Sequence, residues 1–278
     1  MIGGPPCEAF SLAGKRDPSD PRARLFYDYV DVVARLQPYV FVMENVEGIL
    51  TMLTIREDVG EEVKAKVREA LRKLLDLENV GRRRRAAPQY VIRGNSHAKG
   101  QGERELVEFV RKHLVTAPEA IRQAFGKVGY DVEWRVLNAL DYGVPQERER
   151  VFFIGARRDS GVRVEFPEPT HAPTPTVTID GRRLERYRTL RDAIGDLPPL
   201  EQRVGDEVYE GSFSPIYMSR NRYKSWDEPS YTILASARHI PLHPDSPRMV
   251  KVGEDRWVFA EEPGKKPRRL SVRECARV

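Results

Sequence analysis

A chain of 278 residues, 40% of them hydrophobic, is long enough to bury one large core or two smaller ones, so a main domain with a smaller companion is expected. Its two cysteines, Cys7 and Cys275, stand far apart and outside any CxxC or Cys/His cluster, which argues against a disulfide scaffold and structural zinc and favours a reducing, cytoplasmic setting. The net charge of +5 (47 Lys and Arg against 42 Asp and Glu) is mild, and neither a membrane-length apolar run nor a signal-peptide layout occurs.

In chain order, the first residues compress a strand into Met1 and Ile2 before "GGPPC", a run whose glycines and prolines dictate a tight turn ending on Cys7. "RARLFYDYVDVVARLQ" then places Leu25, Phe26, Tyr29, Val33 and Leu36 on one helical face, and Pro38 stops it. "YVFVM" (39–43) reads as a short buried strand. "EEVKAKVREALRKLLDLE" is a patterned amphipathic helix. Beyond it lie the arginines 82–85 and "RGNSHAKGQGERE", a basic, glycine-containing loop that suits either a solvated insertion or contact with phosphates. The insertion over about 52–115 exceeds a minimal crossover, and its purpose is not legible. "APEAIRQAFGKVGY" is a further helix from Pro118 to Gly129, followed by the strands "DVEWRVL" and "RVFFIGA". Strands separated by such helices predict parallel pairing through crossovers, hence an open, doubly wound α/β sheet.

Near residue 167 the texture changes to proline-rich, non-periodic sequence with short strand-like pieces, "SYTILAS" and "DRWVFA". The expected division is a first domain over 1–166 and a second, smaller, irregular domain over 167–278.

In a parallel sheet, Glu44 and Asn45 emerge directly after strand 39–43 at the edge that carries Cys7. Arg148 and Arg150 stand just before strand "RVFFIGA" on alternating positions. A thiol, a carboxylate and two guanidiniums at one sheet edge suit a neutral, electron-poor ring.

"GGPPCEAFS", "PRARLF", "ENVEG", "GYDVEWRVLNALDYGVPQERERVFFIGAR" and "RRLSVRECARV" together resemble, in order, the motifs of DNA cytosine-5 methyltransferases. Glu8 departs from the glutamine usual at its place. The resemblance implies an AdoMet-dependent methyltransferase sheet joined to a DNA target-recognition domain. It implies Cys7 as the thiolate that adds to cytosine C6, Glu44 as the acid at N3, and Arg150 with Arg148 holding the base or its backbone. Ser11, Asn45 and Gln146 are implied as substrate or loop contacts. The target nucleotide must be flipped out, because C5 and C6 are inaccessible within the duplex.

Arg220, Arg222 and Arg238 are candidate readers of guanine, and the stretch around them resembles the branch that methylates GGCC within restriction-modification systems. His239 and His243 have no ligand partners at metal spacing, so no metal is expected. The family's aromatic-x-Gly-x-Gly cofactor loop does not occur here, and the sequence stops within the ninth motif, where the family continues into a tenth. A gene fragment, or one piece of a split enzyme completed by a second chain, is therefore expected, with duplex DNA as the other partner. The competing readings are a DNA-binding remnant without catalysis and, less favoured, a tRNA-methylating relative.

Overall fold

The computed structural model describes residues 1–6, 25–79 and 100–278. Ile2–Gly3 (β1) is parallel to Val40–Asn45 (β2), with Ile2 opposite Val42 and Gly3 opposite Met43. Leu25–Leu36 (α1) lies between them in the chain and buries Phe26, Val30 and Val33. Leu36 is 68% exposed, against expectation. At 3.6 residues per turn it lies about 80° round the helix from Phe26, whereas Val30 lies only about 40° away and takes the inward place. Gln37, at φ 46, ends α1 by donating its backbone N–H to Val33 O and its side-chain amide to Ala34 O, just ahead of Pro38.

A 3-10 turn, Glu47–Thr51, follows β2 and leads into Leu53–Ile55 (β3). Glu61–Asn79 (α2), Gln101–Lys112 (α3) and Leu114–Thr116 (β4) complete a module in which β3 and β4 pair antiparallel. Ile55, Val67, Ala70, Leu71, Leu74 and Val110 form its separate small core. The stretch around 52–115 is thus folded in its described part. Helix α3 corrects the expectation that "GQGERE" belongs to a loop: Gly100 and Gly102 mask its start, yet Leu106 and Val110 supply an i, i+4 stripe that packs against α2.

Ala117–Lys127 (α4) carries Pro118 in its first turn, where the missing N–H has no helical partner to lose, and Gly129 turns the chain at φ 94. Next come Tyr130–Asn138 (β5), a 3-10 turn Ala139–Tyr142, Gln146–Glu147 (β6) and Glu149–Arg157 (β7). The main sheet has the order β1-β2-β7-β5. β2 and β7 are antiparallel, from Val40 opposite Ala156 to Asn45 opposite Val151. This corrects the all-parallel expectation. The excursion between β5 and β7 is too short for a helical crossover. Its consequence is functional, since the start of β7 is delivered to the end of β2. On β7, Gly155 faces Phe41, and a Cβ there would lie 2.1 Å from the Phe41 ring. That close approach lets Phe41 stack on Phe125 at 4.0 Å between centroids.

The remaining elements are His171–Ala172 (β8), Thr176–Val177 (β9), Arg183–Arg186 (β10), Leu190–Ile194 (α5), Ser230–Tyr231 (β11), Met249–Gly253 (β12), Arg256–Phe259 (β13) and Val272–Arg277 (α6). β8, β10 and β9 make a small sheet, β12 and β13 a hairpin. Only Ser230 and Tyr231 of "SYTILAS" are strand. Both short helices open with a capping box, Thr189 with Asp192 and Ser271 with Glu274.

By its contacts the chain forms two units: Met1–Leu137 with Arg150–Phe166, and Asn138–Glu149 with Pro167–Val278. Residues 138–149 fall in the first domain of the linear division but pack within the second unit, where β6 pairs with β11. Among the described residues no helix is long and apolar enough to cross a membrane.

Candidate functional site

Within the first unit, the antiparallel register sets Glu44, near the end of β2, beside the start of β7. Arg150 Nε lies 2.8 Å from Glu44 Oε1, with the two side chains 20% and 36% exposed. Asn45 is fully buried: its Nδ2 donates to Pro5 O at 3.2 Å, and its Oδ1 accepts from Val46 N at 2.9 Å. A Cβ on Gly4 would stand 3.4 Å from Glu44 Oε2. The glycine-proline turn therefore runs directly over the carboxylate, and Asn45 ties the two segments together. Cys7, two residues past Pro5, lies outside the described residues, as do Ser11 and the arginines 82–85.

Arg148 belongs to the second unit. Its backbone is held there by Asn138, whose Oδ1 accepts from Arg148 N at 3.3 Å, and by Ala139 N, which donates to Arg148 O at 3.0 Å. Gln146 is buried, and its Oε1 accepts from Ile233 N at 3.3 Å, so its carbonyl end serves the fold.

The candidate base readers differ from one another. Arg220 and Arg238 are exposed. Arg222 is half-buried, its guanidinium 5.4 Å from the centre of the Tyr217 ring, and its Nε is buried without a hydrogen-bond partner. Burial first, and then the charge of Arg220, push its pKa below the usual guanidinium value. A desolvated donor without an acceptor is costly, and an acceptor-rich base edge removes that cost.

Pattern reading missed two features of the C-terminal motif. Arg269, 1% exposed, donates to Tyr209 O, Gly211 O and Ser212 O and lies within 5.0 Å of the ring centres of Tyr209, Phe213 and Tyr217. Glu274, fully buried, accepts from Arg203, from both terminal nitrogens of Arg268 and from Ser271 N. Burial alone would raise the Glu274 carboxyl; its hydrogen bonds, Arg268 foremost, outweigh that and hold it at about 2. The spacing of Arg268, Arg269, Ser271 and Glu274 hinted at a capped helix start, but not at which distant groups converge on it. Burial pushes the Cys275 thiol up to about 11, so it is a poor nucleophile. Among the described residues no cluster of three His, Cys, Asp or Glu is arranged to hold a metal ion.

The model of C-5 cytosine-specific DNA methylases matches residues 1–67 and 105–278. The chain belongs to that family. As a member of that family it carries the α/β methyltransferase fold, and the unmatched 68–104 takes in, among the described residues, the later part of α2 and the start of α3. The chain is 39% identical over 292 residues to the type II methyltransferase M.MthTI of Methanothermobacter thermautotrophicus, covering all of this chain and 66% of that protein. It is 36% identical to M.BsuRI of Bacillus subtilis and 35% identical to M.BspRI of Lysinibacillus sphaericus, each over 280 residues, covering 47% and 49% of them. The chain thus spans about half to two thirds of the length of these methylases.

Proposed function

We propose that this chain takes part in transferring a methyl group from AdoMet to C5 of a flipped-out cytosine in duplex DNA, at a short site such as GGCC, as the modification arm of a restriction-modification system. The observation that carries the reading is the Glu44–Arg150 pair lying under the Gly4–Pro5 turn that leads to Cys7.

In this reading the Cys7 thiolate adds to C6, and the displaced electron pair moves toward N3 and O2. Glu44 shares a proton with N3 as that charge develops, and Arg150 both fixes the carboxylate and presents its other N–H groups to O2. C5 then carries enough electron density to accept a methyl group, which AdoMet supplies when bound. Loss of the C5 proton expels Cys7 and restores the aromatic ring. The aromatic-x-Gly-x-Gly turn is absent from this sequence, so none of its residues is assigned to hold AdoMet. Arg148 contacts the backbone of the flipped nucleotide, Ser11 the DNA, and Arg220, Arg222 and Arg238 the guanines.

The test is trapping. With the enzyme reconstituted from this chain and a second chain that supplies AdoMet binding, AdoMet and a duplex containing 5-fluorocytosine, whose fluorine cannot leave as a proton, should give a protein–DNA complex resistant to denaturation. The complex should vanish in Cys7→Ser; equal trapping by that variant would overturn the assignment.

A further inference from the structure

In the second unit, the segment that leads into Arg148 and Arg150 is bound along its length to the segment that carries Arg220 and Arg222. Ser230 N donates to Pro145 O at 2.9 Å, and β6 pairs in parallel with β11, Ser230 opposite Gln146 and Tyr231 opposite Glu147. Thr232 Oγ1 donates to Glu147 O at 2.5 Å, and Ile233 N to Gln146 Oε1. Across this ladder Lys224 Nζ donates to Glu147 Oε1 at 2.9 Å and stands 4.6 Å from the centre of the Tyr231 ring. The Lys224 side chain is 14% exposed and that of Glu147 41%. Glu228 is the other carboxylate nearby, its Oε1 at 3.7 Å from Lys224 Nζ, but it also accepts from Ser225 N and Oγ. Lys224 follows Arg222 by two residues, and Glu147 immediately precedes Arg148.

We infer that Lys224 and Glu147 are a positioning pair that couples occupation of the recognition segment 220–233 by its DNA site to the placement of Arg148, in the same unit, for reaction. The inference rests on the methyltransferase reading above. Its physical basis is the geometry of a short ladder. Two residues of parallel pairing hold register weakly, and a one-residue slip reverses which way each side chain points. A largely buried ammonium is expensive without its carboxylate, so the ion pair selects one register. When Arg220 and Arg222 settle on bases they also set Lys224, and through Glu147 they set Arg148, the next residue in the chain. A mismatched site leaves Lys224 displaced and Arg148 out of place, so discrimination enters the turnover step as well as binding.

The experiment uses the enzyme reconstituted with the chain that supplies AdoMet binding, and measures single turnover, duplex affinity and thermal unfolding side by side, on the duplex that the parent methylates and on its single-base variants. Glu147→Gln and Lys224→Met should each lower the methylation rate at saturating duplex about tenfold, within the range of about 5–150-fold that coupling between sites spans. Affinity for the duplex should change less than about threefold, and the preference for the correct site should narrow. The double variant should be no worse than either single one, and Lys224→Arg should restore most of the rate. Additive losses would overturn the inference. So would weaker binding to every duplex in Lys224→Met beside a parental Glu147→Gln, which makes Lys224 a phosphate contact. A lowered unfolding temperature with a parental rate would make the pair mere scaffold. A parent that transfers no methyl group overturns the methyltransferase reading itself, and this inference with it.

Discussion

Arg150 on β7 holds Glu44 on β2 through a 2.8 Å contact between strands that run in opposite directions. Were β7 parallel to its neighbour, its first residues would lie at the far edge of the sheet. The antiparallel register is what makes an acid and a guanidinium partners.

On the proposed role of Glu44 as the acid at N3, Glu44→Gln removes the proton to be shared while keeping shape and most hydrogen bonding. The rate of methylation should fall by about 10²–10⁴, as expected for a positioned acid, with duplex affinity little changed. Single-turnover tritium transfer at saturating duplex checks this. A parental rate would show that Glu44 only orients Arg150.

Asn45→Ala deletes a buried donor to Pro5 O and the acceptor of Val46 N. The unpaired buried groups should cost about 1–3 kcal/mol in urea unfolding. Trapping on 5-fluorocytosine should slow by more than that loss explains at temperatures where the variant is folded, because the turn that leads to Cys7 loses its anchor.

Arg222→Ala and Arg238→Ala should separate two kinds of contact. For Arg222, half-buried with an unpartnered Nε, loss of a bidentate guanine contact predicts a penalty of about 1–3 kcal/mol confined to one base pair. For Arg238, the same confined penalty supports a base contact, whereas equal weakening on all duplexes and a shallower salt dependence mark a phosphate contact. Filter binding on GGCC duplexes and single-base variants at fixed salt distinguishes them.

The second unit should weaken in acid in two overlapping steps. Burial, with the charge of Arg268, pushes the His243 imidazole from 6.5 down to about 4. Its contribution to stability is therefore full above about 6.5 and drains as pH falls toward 4, since the unfolded chain takes up the proton first. Glu274, depressed from 4.5 to about 2, contributes fully above 4.5 and is lost as pH falls through 2. Thermal unfolding followed from pH 7.5 to 3.5 should show a level midpoint above about 6.5 and a steady drop below it. His243→Gln should flatten the upper part; an unchanged slope there would assign the acid sensitivity to other groups.

What the sequence determined by itself is whatever depends on neighbours in the chain. Pro38 ends α1, Pro118 opens α4, and the apolar run 39–43 makes a strand, which the structure extends through Glu44 to Asn45. The motifs that carry the family likeness are local in the same sense, so Glu44 and Arg150 could be named before any fold was known. Three-residue windows say nothing of direction, so the antiparallel β7 was not legible in "RVFFIGA". Nor was the partition of 138–149 into the second unit, which follows from β6 meeting β11 more than eighty residues onward. The aromatic and carbonyl cage around Arg269, the four donors on Glu274 and the Lys224–Glu147 pair were decided by tertiary structure alone. Each centres on a buried or largely buried charge, Arg269, Glu274 or Lys224, and whether a charged side chain is buried depends on what closes over it. A charged residue within a charged stretch reads as solvated until a distant segment arrives to remove the water.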